Sequence, residues 1–201
     1  MKDMSDRKKD IESAFVKEFE EYDGAYSGPF IIKGQEEKKI VYDLKCNECP
    51  LGHRFKGLPT GNLNAEYFFI GEAPSEFRAG LDIEANYVWH DGPSSKILKT
   101  ALYTIGILSK SFFSNVIKCS LRNNIPRRPE EYFFCIKKFL VNELQLVQPK
   151  KIIVMGAQAD KAFLSIGGDY EYRKILHPSF FIYKGKNALD YATYLKGELK
   201  I

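Results

Sequence analysis

Four cysteines constrain this 201-residue chain more than any other feature. Cys46 and Cys49 form a C-x-x-C pair, while Cys119 and Cys135 stand far downstream as singles. One pair and two distant singles can close around one metal centre only if the fold brings them together. Four thiolates suit an iron–sulfur cluster or a structural zinc, and two disulfides are the alternative. The first ten residues are charged and lack the apolar stretch of a signal peptide, so a cytoplasmic location is expected. Disulfides are rare in that compartment, and thiols there more often hold metal.

The hydrophobic pattern describes what the cysteines would be attached to. Residues 5–22 carry Ile11, Phe15 and Phe19 at helical spacing among charges. Gly24 and Gly28 break that pattern, 29–34 reads as a short extended piece, and 35–45 again has helical spacing up to Cys46. Residues 1–40 are therefore expected to form an N-terminal helical extension, with one domain over 41–201. From Tyr67 the character changes. Tyr67-Phe68-Phe69-Ile70-Gly71 is an apolar run ending in glycine, as in a buried strand that feeds a loop. The spacing predicts a serine-capped helix over 94–106, a strand over 112–117 and a long helix over 129–147 that opens on Pro129-Glu130-Glu131. A strand over 151–155, a helix over 157–166, a strand over 173–176 and a helix over 189–196 stopped by Gly197 complete the series.

Strand and helix alternate, which implies a three-layer α/β/α domain around a central, mostly parallel, four-stranded sheet. Loops after the carboxyl ends of such strands gather in one crevice. Glu72, Asn115 and His177 all stand at those ends. A buried asparagine amide needs hydrogen-bond partners, whereas a lone loop glutamate or histidine is more often solvated or structural. The formal charge of +4 is compatible with nucleic acid and does not require it. No apolar run approaches the roughly 20 residues of a membrane span.

The polar strand ends and the cysteines form an ordered series: Cys46-x-x-Cys49-Pro50-Leu51, Gly61-Asn62-Leu63, Gly71-Glu72-Ala73-Pro74, Gly92-Pro93-Ser94-Ser95, Asn115-Val116-Ile117-Lys118-Cys119, Arg128-Pro129-x-Glu131 with Cys135, and His177-Pro178-Ser179. In this order they resemble the iron–sulfur uracil-DNA glycosylases, family four of the uracil-DNA glycosylase superfamily. The resemblance implies a [4Fe–4S] cluster on Cys46, Cys49, Cys119 and Cys135. It implies a DNA repair enzyme that hydrolyses the N-glycosidic bond of a flipped-out uracil and leaves an abasic site.

The resemblance also assigns expected roles. Asn115 would read the uracil edge. His177 would donate a hydrogen bond to uracil O2, and Glu72 would stabilise the sugar cation, position water, or both. Backbone N–H groups around Gly71 and Ala73 would assist. Ser94, Ser95 and Ser179 would meet DNA, and Phe180, Phe181 and Ile182 would fill the gap left by the extruded base, with core packing as the alternative for each of the three. The expected partner is uracil-containing DNA, single- or double-stranded, bound by a monomer, with a sliding clamp as a candidate protein partner and no membrane.

Two departures bear on specificity. Ser75 replaces the family's glycine after Gly71-Glu72-Ala73-Pro74. Where the family has a base-stacking phenylalanine, counting back from Gly92 reaches His90, with Trp89 beside it; either ring could stack. A glycosylase with shifted base preference, for example toward hypoxanthine, and a non-catalytic iron–sulfur DNA-binding relative are the alternative readings.

Overall fold

The computed structural model describes residues 30–33, 39–42, 57–74, 89, 92–119, 129–166 and 170–201. Its centre is a five-stranded sheet built from β3 (Thr60–Gly61), β4 (Tyr67–Gly71), β5 (Ser111–Asn115), β6 (Lys151–Met155) and β7 (Tyr172–Ile175), in the order β3-β5-β4-β6-β7. The last four are mutually parallel, as expected. The fifth, a two-residue antiparallel edge on β5, is too short to carry a period and was not expected from the sequence.

Strand alternation sorts the side chains into two layers. Phe68, Ile70, Phe112 and Val154 point to one face, which is covered by α2 (Pro129–Cys135), a π-helical turn (Ile136–Leu140), α3 (Val141–Val147) and α4 (Ala157–Leu164). Phe69, Phe113, Ile153 and Met155 point to the other, which is covered by α1 (Pro93–Thr104), α5 (Pro178–Tyr183) and α6 (Ala188–Leu199). All eight of these strand residues are essentially inaccessible to water. Each contributes about 1.5–3 kcal/mol by burial.

Several local expectations need correction. The helix expected to start on a serine cap starts at Gly92, with Pro93 in the first turn, so Ser94 and Ser95 lie inside it. Gly197 does not stop the last helix, which continues to Leu199 and closes on the left-handed Lys200. Tyr191, Ala192, Leu195 and Leu199 bury one face of that helix, and their packing outweighs the roughly 1 kcal/mol cost of one glycine. Its start is a capping box, in which Asn187 Oδ1 accepts from the N–H groups of Leu189 and Asp190. Phe30–Lys33 is extended, as expected, and forms β1. Lys39–Tyr42, expected to be helical, forms β2 paired antiparallel with it; the apolar run Ile40-Val41-Tyr42 favours a strand. The helix expected over 5–22, Cys46 and Cys49 lie outside the described residues.

The short helix α5 has no sequence counterpart in the expectations above, and it changes the reading of Phe181. That ring is only 4% exposed and packs on Tyr191 and Tyr194, with centroids 4.8 and 5.4 Å away. Phe181 is a core residue and is not available to DNA. Phe181→Ala is expected to lower the unfolding free energy by about 3–5 kcal/mol. A urea titration showing no loss would return the ring to the surface.

Candidate active site

The strand order decides where the site is. β4 lies between β5 and β6, so successive crossovers leave it in opposite directions and open a crevice beyond the strands' carboxyl ends. Gly71 ends β4 directly opposite Asn115, which ends β5. The exit turns are stitched together, because the N–H groups of Val116 and Ile117 donate to the carbonyls of Gly71 and Glu72, both at 2.9 Å.

Asn115 is 2% exposed, and its Oδ1 has no hydrogen-bond partner among the described residues. An unsatisfied buried acceptor costs about 1–3 kcal/mol, so this oxygen is open to a donor from outside the described residues. Gly71 forms the floor beside it. A Cβ on Gly71 would stand 2.5 Å from Asn115 Oδ1 and 2.7 Å from Trp89 Cζ2. Only a residue without a side chain allows this approach. Among the described residues Trp89 Nε1 is also a buried polar atom without a partner, so a donor and an acceptor border one glycine floor.

His177 closes the other side, with its ring centroid 5.5 Å from that of Trp89. It caps α5, and its Nδ1 accepts from the Ser179 N–H at 3.2 Å and lies 2.8 Å from Ser179 Oγ. A backbone N–H can only donate, so Nδ1 is the acceptor and a neutral ring carries its proton on Nε2. Burial lowers the pKa of His177 from its ordinary 6.5 to about 4. The ring is therefore a neutral N–H donor near pH 7. Its backbone is clamped through the preceding residue: Tyr191 donates to the Leu176 carbonyl at 3.0 Å, and the Leu176 N–H donates to Tyr194 at 2.9 Å. A Cβ on Gly156, which follows β6 with φ +90°, would meet His177 Cβ at 3.2 Å.

Glu72 is half-buried beside Ala73, and its Oε1 accepts from the Tyr132 hydroxyl on α2 at 2.8 Å. Sequence reasoning had no signal for Tyr132, since the two residues are sixty positions apart. It also had no signal for a buried ion pair behind Asn115. Lys118 and Glu143 are 3% and 0% exposed in their side chains, with Nζ–Oε1 at 2.8 Å. Removing one partner would strand a buried charge at a cost of about 3–5 kcal/mol.

The structure thus brings Gly71, Asn115, Trp89 and His177 around one crevice, with Glu72 and Ala73 on the adjoining exit turn. Ser179 serves the site by holding the imidazole. The side chain of Ser95 is buried, and its hydroxyl donates to the Trp89 carbonyl, so it fixes that tryptophan and does not face DNA. Ser94 and Ile182 are half-buried. His90 and Ser75 lie outside the described residues. Beside the buried Phe181, the exposed rings of α5 are Phe180 at 40% and Tyr183 at 86%.

Cys119 and Cys135 are both buried in one core cluster. Two thiols sharing one cluster fit half of a four-thiolate set. No group of three potential metal ligands occurs among the described residues, which exclude Cys46 and Cys49. No helix among them is long and apolar enough to cross a membrane.

Comparison with known proteins bears on this geometry. A family profile described as the Uracil DNA glycosylase superfamily matches residues 58–197. The Type-4 uracil-DNA glycosylase of Archaeoglobus fulgidus is 30% identical over 183 residues, covering 78% of this chain and 88% of the relative. That of Pyrobaculum aerophilum is 30% identical over 129 residues, 61% of each chain. That of Saccharolobus solfataricus is 34% identical over 117 residues, 56% of this chain and 51% of the relative.

Proposed function

We propose, because this chain belongs to the uracil DNA glycosylase superfamily, that it excises uracil from DNA by hydrolysing the N-glycosidic bond and leaves an abasic site. The observation that carries the reading is the buried Asn115 Oδ1 over the glycine floor, without a hydrogen-bond partner among the described residues. Uracil presents an N3–H donor beside its O4 acceptor, and a primary amide complements both at once. Cytosine presents the opposite pattern at those atoms. The base is reached only after its nucleotide rotates out of the stack, and the Trp89 ring, bordering the same floor, supplies a face for it.

Bond cleavage leaves positive charge on the sugar and negative charge on uracil O2. His177, neutral and protonated on Nε2, donates to that oxygen as the charge develops, with no proton to shed first. Glu72, oriented by the Tyr132 hydroxyl, stabilises the cationic sugar, positions the attacking water, or both. Backbone N–H groups of the exit turn around Gly71 and Ala73 add to the stabilisation. Ser94 at the start of α1 and Ser179 lie where the DNA backbone would pass. With Phe181 buried, the apolar surface left to enter the gap in the stack is Phe180 and Tyr183, with Ile182 beside them.

Cys46, Cys49, Cys119 and Cys135 hold a [4Fe–4S] cluster in this reading. The buried pair Cys119 and Cys135 supports it, and the cluster when bound supplies a cross-link between the segment around Cys46 and the sheet. The same reading makes the protein a monomer of the cytoplasm working on DNA, with residues 1–40 as an extension to the domain.

The test is direct. Purified protein incubated with an oligonucleotide holding one uracil is expected to yield an alkali-labile site there, and none at thymine or cytosine. The sample should be brown, with four irons expected per chain. Binding of the oligonucleotide without an alkali-labile product would leave a non-catalytic DNA-binding relative. Cleavage at hypoxanthine in place of uracil would favour the shifted specificity that the orphan indole N–H of Trp89 permits.

A further inference from the structure

We infer that Lys118 and Glu143 are positioning residues for base readout. Their buried ion pair anchors the end of β5 from behind, so that the Asn115 amide stays aimed into the crevice. The inference rests on the proposed excision of uracil and adds a part to that site.

The geometry is specific. Lys118 Nζ lies 2.5 Å from Ser114 Oγ, 2.8 Å from the Asn115 carbonyl oxygen, and 2.8 and 2.9 Å from the two carboxylate oxygens of Glu143. Ser114 Oγ in turn donates to Glu143 Oε2 at 2.5 Å. An ammonium has three protons, and here serine, peptide carbonyl and carboxylate take them all. Strand alternation separates the two functions. Ser114 shares the face of Phe112 and meets α3, whereas Asn115 shares the face of Phe113 and meets Gly71 and Trp89. Lys118 reaches both by gripping the side chain of one residue and the carbonyl of the next.

Stability does not account for this arrangement, because a well-packed apolar pair of similar volume usually serves as well as a buried ion pair. Asn115 does supply a reason. Its Oδ1 makes no hydrogen bond among the described residues, so no bond to that oxygen sets the aim of the amide. Control over where the Cα–Cβ bond points has to come from the backbone, and the Lys118 ammonium sits on that peptide's carbonyl. The turn that Lys118 closes is the same one whose Val116 and Ile117 N–H groups bind the carbonyls of Gly71 and Glu72.

The experiment replaces the pair together, as Lys118→Met/Glu143→Leu, which leaves no uncompensated charge. Lys118→Met/Glu143→Gln is made alongside it in case the first does not fold, and circular dichroism confirms folding. Single-turnover excision of uracil is expected to slow about tenfold in the neutral pair, and by less than about twofold when the pair is placed in an Asn115→Ala background. The KM for DNA is expected to stay unchanged. A general loosening of the protein would give equal losses in both backgrounds, and that result would overturn the inference.

A second readout does not depend on activity. The Asn115 side-chain amide, identified by its disappearance in Asn115→Asp, is expected to have a high NMR order parameter in the natural protein and a lower one in the neutral pair. An amide equally ordered in both sinks the inference. Failure of the natural protein to act on uracil would instead sink the functional reading, while the order parameter would still decide the anchor.

Discussion

His177→Ala is expected to slow excision of uracil by about 10²–10³-fold, the usual cost of removing one preorganised donor to a developing oxyanion. DNA affinity should hardly change, because the donor acts on charge that appears only as the bond breaks. The pH profile sharpens the prediction. The folded-state pKa of His177 is depressed to about 4 from 6.5, so the unfolded chain takes up the proton first as pH falls. The contribution of the neutral ring to stability is complete above pH 6.5 and disappears as pH drops toward 4. The excision rate should therefore show no inflection from His177 near pH 6.5, as an exposed histidine would give. An alanine variant with natural single-turnover rates, or a rate that tracks a group titrating at 6.5, would remove the imidazole from this role.

The second large effect is expected at Asn115. Asn115→Asp replaces an amide that offers both donor and acceptor with a carboxyl that only accepts when ionised. Uracil then loses its partner for O4, and a site built around that hydrogen bond should lose at least about 10²-fold in rate. Cytosine gains, because its amino group donates to the new carboxylate and its N3 can accept from the protonated form. Matched oligonucleotides carrying uracil or cytosine report the ratio of the two rates. A ratio equal to that of the natural protein would mean that Asn115 does not read the base edge, whatever its burial.

These two residues were legible in the sequence for one shared reason. His177-Pro178-Ser179 and Asn115 through Cys119 stand at the ends of apolar runs, where a parallel sheet gathers its functional loops. Their chemical states were not legible. The tautomer of His177 depends on Ser179 N–H, which faces Nδ1 only because α5 forms there. Six residues containing Phe180, Phe181 and Ile182 carry too little period to announce a helix. For the same reason Phe181 reads as a wedge in the sequence and is core in the fold. Ser95 gave a similar false signal: a serine at a helix start suggests a phosphate contact, yet its hydroxyl is turned inward to the Trp89 carbonyl.

Residue order alone determined the alternation of strands and helices, the parallel sheet of β4, β5, β6 and β7, and the polar residues at its ends. Those features depend on periods of two and about 3.6 residues, which neighbours along the chain already express. Only the tertiary structure decided that β4 lies between β5 and β6, that Gly71 faces Asn115, and that Lys118 meets Glu143 twenty-five positions away. Pairings of that kind are non-local. They depend on which faces the packed layers bury against each other, and a one-dimensional pattern does not record which of its distant parts become neighbours.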